Sequence, residues 1–435
     1  MRRIATRAPF SFITLVALGA LLTGGCSDAP EDAAPAPRAA GPQVTAFTGA
    51  RVIVGDERRA PIDNAVMLVA DGEFRAVGPA AAVEIPADAE RVDLAGKTVI
   101  PAMVDTHVHL SREREALVAD LERRAYFGVG VAMSLGQDAG EAPFAVRAQV
   151  LPGAALYRTA GRGITAPEPG RNEIPYWVTS ADEARAAVRE QAALGVDIIK
   201  IWVDDRNGMY EKLPPESYRA AIDEAHANDL RVTAHVFTLA DAKELLRAGI
   251  DAFAHGIRDV DVDDEVIALF RERPEVVLVP NLPDRGVATD LAWLRGQLPD
   301  AQWQELQAAA VDRPAAQAAF AIQARNLARL ADEGVRIALG TDGNSPWGPH
   351  LEMADMVAAG MAPGDVIVAA TRNAAELVGL ADRGTVSAGM SADFVVLAAN
   401  PLDDITNTRR IDAVYLRGAA VDRDTVRARW TAAAP

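Results

Sequence analysis

Short apolar runs punctuate the middle of the chain at residues 99–105, 129–135, 155–160, 197–203, 231–236, 251–255, 276–281 and 336–341. Stretches with apolar positions every three or four residues separate most of them, as in REREALVADLERRAYFG, ADEARAAVREQAALG and TLADAKELLRAG. The first pattern suits buried strands and the second amphipathic helices. Ser180 and Thr238 stand where helix N-caps belong, and Gly195, Gly249 and Gly334 where helices stop shortly before a strand. Eight strand–helix units over about 280 residues predict an α/β fold, a (β/α)8 TIM barrel, here spanning residues 100–381. An open doubly wound sheet is the alternative, but no glycine-rich phosphate loop follows the first strand.

On either side of this region the pattern turns to β. VTAFTGARVIV, NAVMLVADGEFRAVG and RVDLAGKTVI precede it, and GTVSAGMSADFVVL and IDAVYLRGAAV follow it. Asp-Gly and Ala-Gly turns break the leading runs. A small β-sandwich domain built from both chain ends, residues 43–99 and 382–435, is expected.

The amino terminus has a different character. Arg2, Arg3 and Arg7 precede PFSFITLVALGALL, residues 9–22, which holds no charge. That run is short for a membrane span and suits a signal-peptide core. Thr23-Gly24-Gly25-Cys26 follows and resembles the lipobox of bacterial lipoproteins, with Thr23 where Leu is commoner. The resemblance implies a signal peptide over residues 1–25 and a diacylglycerol on Cys26, a membrane anchor. An ordinary signal peptide with a free cysteine is the plainer alternative. Residues 26–42 are an Ala/Pro-rich tether. An exported periplasmic or cell-envelope lipoprotein, placed at the outer membrane, is the expectation.

Composition narrows the rest. The 435 residues are 50% hydrophobic and 24% charged, which suits a globular chain. Net charge is −17 and no long basic block occurs, so a nucleic-acid partner is not expected. The single cysteine excludes an intrachain disulfide framework and a cysteine-based zinc site.

The chemistry-bearing residues fall at strand ends. Asp105-Thr106-His107-Val108-His109 ends the first run, and side chains two apart on a strand share a face. His107 and His109 can therefore hold one metal together, although an H-x-H pair alone is weak evidence. His235 ends the fifth run, His255 the sixth and Asp342 the eighth, while Lys200 lies inside the fourth. In such a barrel these positions meet the catalytic loops. Singly, each has a plainer reading: a core histidine, a helix cap for Asp342, a snorkelling lysine for Lys200. Together they point to one metal centre.

The ordered motifs VIPAMVDTHVHL, VDIIKIWV, EAHANDLRVTAHVF, FAHGI, GTDGN, HLEM, AATRNAAELVGL and GTVSAGMSADFVVLAANPL resemble the metal-dependent amidohydrolase superfamily, in its imidazolonepropionase-like and prolidase-like branch. Ala102 and Met390 depart from the usual Gly and Lys. The resemblance implies that His107, His109 and Asp342 bind one divalent metal, and His235 and His255 a second. It implies a CO2-derived carbamate on Lys200 that bridges the two. Imidazole and carboxylate ligands suit zinc. Water between two such metals loses its proton near neutral pH, and Asp342 is placed as the catalytic proton carrier. The single-metal form of the imidazolonepropionase subgroup is the alternative, but the lysine on the fourth strand favours two.

Three further residues are candidate substrate contacts: His350 in SPWGPHLEM, Tyr218 in the helix before the fifth strand, and Arg162 after the third. The first two are implied by the resemblance; His350 has a local cap as its alternative, and Arg162 a solvated loop arginine. His226 is expected to be structural. Segments 161–178 and 281–316 are candidate specificity loops. The expected activity is hydrolysis of an amide or peptide-type C–N bond in a small molecule: a dipeptide, Xaa-Pro or N-acyl amino acid. A lactonase, phosphotriesterase or cyclic-amide hydrolase on the same site is the alternative within the enzyme class, and a non-catalytic envelope binding lipoprotein is the alternative outside it. A homo-oligomer is left open.

Overall fold

The computed structural model describes residues 43–432. The expected signal peptide, Cys26 and the expected tether lie outside the described residues. Eight parallel strands form the barrel: Met103–Val108, Val129–Ser134, Leu156–Thr159 continued by Ile164–Thr165, Ile199–Trp202, Val232–His235, Ala252–Ala254, Val277–Val279 and Arg336–Ile337. Parallel ladders join the first three strands, and others run from Ile164 through the fourth strand to the eighth. The strands are nearly continuous in Val, Ile, Leu, Ala and Met because helices cover their outer face while the barrel fills the inner one.

The eighth predicted strand, 336–341, is regular only over Arg336–Ile337. Past that point its backbone changes partners, from Leu278 to Ala369 and the first strand. The Thr106 N–H donates to Leu339 O at 3.1 Å, and the Asp342 N–H to His107 O at 2.8 Å. These bonds close the cylinder. Asp105 fixes the seam: its fully buried carboxylate accepts from Thr341 Oγ1 at 2.8 Å and from Arg124 Nη1 at 3.0 Å. Gly340 permits this approach, since a Cβ there would meet Val279 at 2.6 Å and His107 Cβ at 3.0 Å.

Helix caps follow the expected chemistry. Ser180 Oγ accepts from the Glu183 N–H and Thr238 Oγ1 from the Asp241 N–H, each satisfying an otherwise orphaned donor. Gly195 and Gly249 end these helices in the left-handed region, at φ 74° and 94°, which glycine adopts without a Cβ penalty.

The second unit is an eight-stranded sheet of Thr45–Val52, Ile62–Ala70, Glu73–Pro79, Glu90–Asp93, Thr98–Pro101, Phe394–Leu397, Ile411–Leu416 and Ala419–Ala420. Both chain ends contribute, because Phe394–Leu397 pairs antiparallel with Thr98–Pro101. Phe47, Phe74 and Phe394 fill one core, with Phe47 and Phe394 edge to face at 5.1 Å. Two boundaries differ from expectation. Residues 100 and 101, expected in the barrel, belong to this sheet through the strand Thr98–Pro101, and the first barrel strand starts at Met103. The apolar run simply crosses from one sheet into the other, and periodicity cannot see that change. The terminal helix Arg423–Ala432 lies against the barrel flank, with Val426 and Trp430 against Tyr126 and Phe127.

Candidate metal centre

Three barrel strands bring four groups into contact at the C-terminal mouth. His107 and His109 Nε2 lie 3.1 and 2.9 Å from Asp342 Oδ1, and His255 Nε2 lies 3.6 Å from Asp342 Oδ2. Possible ligand atoms of His107, His255 and Asp342 all fall within 4.8 Å of one another, which is the spacing one ion can span. Asp342 is about a third exposed, toward the mouth, at 36%. The backbone bends sharply here: His255, Asn281 and Asp342 have φ of 85°, 43° and 52°. Left-handed conformations of this kind in non-glycine residues cluster at functional sites.

His235 is set slightly apart. Its ring stands 4.5 Å from that of His255, but its Nε2 faces Asp204 Oδ2 and Arg206 Nη1, both at 3.1 Å. Lys200 is 1% exposed, near enough to His107, His235 and His255 for its charge to act on them, and its Nζ has no hydrogen-bond partner among the described residues. Room for it comes from Gly136, where a Cβ would come within 3.0 Å of Lys200 Cγ.

The electrostatics follow from burial and mutual proximity. Burial pulls the Lys200 amine down to about 7, against the opposing attraction of Asp342. Burial and then the lysine charge hold His107 well below its ordinary value, so the ring is neutral. His235 and His255 are depressed in the same way, again chiefly by burial. Burial alone would raise the Asp342 carboxyl, but His107, His109 and Lys200 outweigh it and keep it ionised. Neutral imidazoles, an anionic carboxylate, a neutral-capable amine and a buried, unpartnered His109 Nδ1 form a donor set that fits divalent metals.

The remaining candidates are placed elsewhere. His350 is buried with both ring nitrogens occupied, Nδ1 by Thr408 Oγ1 at 3.1 Å and Nε2 by Phe127 O at 2.9 Å. It ties a helix to the barrel flank and does not reach the mouth, which corrects the expectation of a substrate contact. Tyr218 is likewise buried in the core with Ile222 and Ala225, and no hydrogen bond links it to the histidines. Arg162 is spent within its own segment: Nε donates to Ile174 O and the guanidinium stacks 3.9 Å from Tyr176. His226 is structural as expected, bonded to Asp251 at 2.8 Å. The 161–178 segment carries two short sheet-extending strands, and the 281–316 segment a 3-10 turn and the helix Asp300–Ala309.

Sequence reasoning overlooked the supporting residues. Asn281 Oδ1 accepts the His255 backbone N–H at 3.1 Å and meets His107 Nδ1 at 3.0 Å. Asp204 and Arg206 meet His235, and Glu168 braces Arg206. The signal available for these was position alone, at the end of a strand or within a loop after one.

Comparison with known proteins agrees with this geometry. The sequence matches the amidohydrolase family over residues 98–421. It is 29% identical over 349 residues to an uncharacterized protein of Mycobacterium tuberculosis, covering 74% of this chain and 85% of that one. It is 28% identical over 387 residues to the imidazolonepropionase of Deinococcus radiodurans, covering 82% and 92%. A crystal structure assigned as a prolidase from Bifidobacterium longum superposes with a TM-score of 0.73 at 27% identity, covering 88% of this chain and 98% of that one. Barrel and bracketing β domain are therefore those of a known group: the chain belongs to the amidohydrolase family, hydrolases of amide-type carbon–nitrogen bonds.

Proposed function

We propose that the protein is an envelope-anchored, two-metal amidohydrolase that cleaves an amide or peptide C–N bond in a small substrate: a dipeptide, an Xaa-Pro dipeptide or an N-acyl amino acid. The observation that carries this reading is Lys200, buried without a hydrogen-bond partner among the described residues and near enough to His107, Asp342, His235 and His255 for its charge to act on them. A buried, unpaired ammonium is costly. An amine held near 7 is substantially neutral at physiological pH and can take up CO2, and the resulting carbamate would offer two anionic oxygens to both metals.

His107, His109 and Asp342 would hold one metal, His235 and His255 the other, and carboxylated Lys200 both, with zinc the first choice for this donor set. When bound, such metals acidify water and polarise a carbonyl. Asp342, kept ionised beside His109, accepts the proton released in attack and returns it to the departing amine. The neutral imidazoles keep nitrogen lone pairs available as ligands. The likeness to an imidazolonepropionase and to a protein assigned as a prolidase supports amide chemistry, cyclic or linear. Lipid attachment at Cys26, with the catalytic part in the periplasm, completes the reading.

The test is a panel of dipeptides, Xaa-Pro dipeptides, N-acyl amino acids, cyclic amides, lactones and phosphotriesters, offered to purified protein reconstituted with zinc and bicarbonate. Turnover of the linear amides supports the proposal. Turnover confined to lactones or phosphotriesters transfers the site to ester chemistry, and no turnover at all favours a binding protein.

A further inference from the structure

We propose that Arg258, at the edge of the metal-ligand cluster, is the receptor for a carboxylate on the substrate, so that the preferred substrates are amides bearing a free carboxylate. This deepens the C–N hydrolase reading and rests on it. Arg258 follows the sixth strand, three residues after His255. Its backbone N–H donates to Phe237 O at 3.0 Å, tying the loops after the fifth and sixth strands together. Its guanidinium stacks 3.0 Å from the centre of the Phe237 ring. That ring in turn lies 4.2 Å from His235 and 5.2 Å from His255. Arg258 thus stands at the edge of the metal-ligand cluster.

The charges around it do not balance. Arg206 Nη1 donates to Asp204 Oδ2 at 2.6 Å and Arg206 Nε to Glu168 Oε1 at 3.0 Å. Glu168 also pairs with Arg171. Three guanidiniums, Arg171, Arg206 and Arg258, therefore share the two carboxylates Asp204 and Glu168, and the other carboxylate acting on Arg258, Asp342, is already engaged by His107 and His109. The excess cation is Arg258, which is partly buried and makes no ion pair or side-chain hydrogen bond with the described residues. Arg206 adds a second unsatisfied donor: its side chain is 91% buried, at 9% exposure, yet Nη2 lacks a partner among the described residues. A planar guanidinium matches a carboxylate through two parallel N–H···O bonds, and a partly desolvated setting strengthens them. An unpaired cation next to a hydrolytic centre is satisfied when the substrate supplies the anion. Arg162, by contrast, is already committed to Ile174 and Tyr176.

The experiment compares metal-loaded wild type with Arg258→Met and Arg258→Lys on matched substrates. Each N-acyl amino acid and dipeptide is presented with a free carboxylate and as its carboxamide, and the cleaved bond is read by mass spectrometry. Wild type is expected to prefer the acids by at least 30-fold in kcat/KM. Arg258→Met should lose that preference through a KM rise of 30-fold or more on the acids, with the carboxamides changed less than threefold, and Arg258→Lys should fall between. Equal use of acid and amide by wild type, or equal damage to both by Arg258→Met, overturns the proposal. Should no amide be cleaved, the C–N hydrolase reading fails, and calorimetry with N-acetylglycine still decides the receptor. Binding weakened tenfold or more in Arg258→Met supports it, and unchanged or absent binding refutes it.

Discussion

Asn281 Oδ1 stands 3.0 Å from His107 Nδ1 while accepting the backbone N–H of His255 at 3.1 Å. One carbonyl oxygen therefore serves histidines on two strands. An amide turned the other way would set its NH2 against the His255 N–H, so the acceptor orientation is fixed. His107 must then carry its proton on Nδ1 and present the Nε2 lone pair toward Asp342. A residue in this position governs ligand tautomer and orientation. Replacing Asn281 by Ala should weaken metal binding by about 10- to 100-fold, read by chelator competition, with a matching loss of activity at limiting metal. Undiminished metal affinity would show that Asn281 only shapes the loop.

Lys200 makes a pH-dependent prediction whose sign follows from its position. Burial lowers the amine from 10.5 to about 7, so the neutral, CO2-reactive form gains population as pH rises through 7 and is scarce below 6. Metal-free protein should therefore reconstitute faster with zinc at pH 8 than at pH 6, and added bicarbonate should accelerate it. Lys200→Ala should abolish the bicarbonate effect. Reactivation that ignores both pH and bicarbonate would mean that the amine itself stays unmodified.

His350 titrates far from the site and bears on stability. Burial lowers it from 6.5 to about 4, so the unfolded chain binds a proton between these values and the folded chain does not. Stability contributed by the neutral buried ring is whole above pH 6.5 and drains as pH falls toward 4, by up to about 3 kcal/mol. His350→Gln should flatten the Tm profile between pH 6.5 and 4. It should change kcat/KM at pH 8 less than threefold, whereas a large kcat/KM loss would restore His350 to the substrate site.

The seam of the barrel offers a further check. Arg124 and Asp105 are both fully buried and paired at 3.0 Å. Arg124→Met strands the carboxylate and should cost about 3–5 kcal/mol in denaturant unfolding. The double variant with Asp105→Asn should recover part of that loss, and strict additivity would contradict direct coupling.

Much of this molecule was legible in its sequence, and the reason is local. Strand ends carrying His107, His109, His235, His255 and Asp342, and helices capped by Ser180 and Thr238, announce themselves through spacing and residue type. What stayed hidden depends on tertiary contact. His350 has the same chemistry as the other histidines, but Thr408 and Phe127, distant in sequence, occupy its nitrogens. Asn281 and Arg258 lie in loops with no periodicity to mark them, and their meaning comes from what they face. Residues 100–101 looked like part of the barrel because a buried strand reads alike in either sheet.

Metal content tests the central claim most directly. Purified wild-type protein, reconstituted with zinc and bicarbonate and freed of excess ion, should carry two equivalents per chain by mass spectrometry, and Lys200→Ala clearly fewer. A wild-type protein that retains no zinc under these conditions would contradict the metal centre and the hydrolytic function built on it.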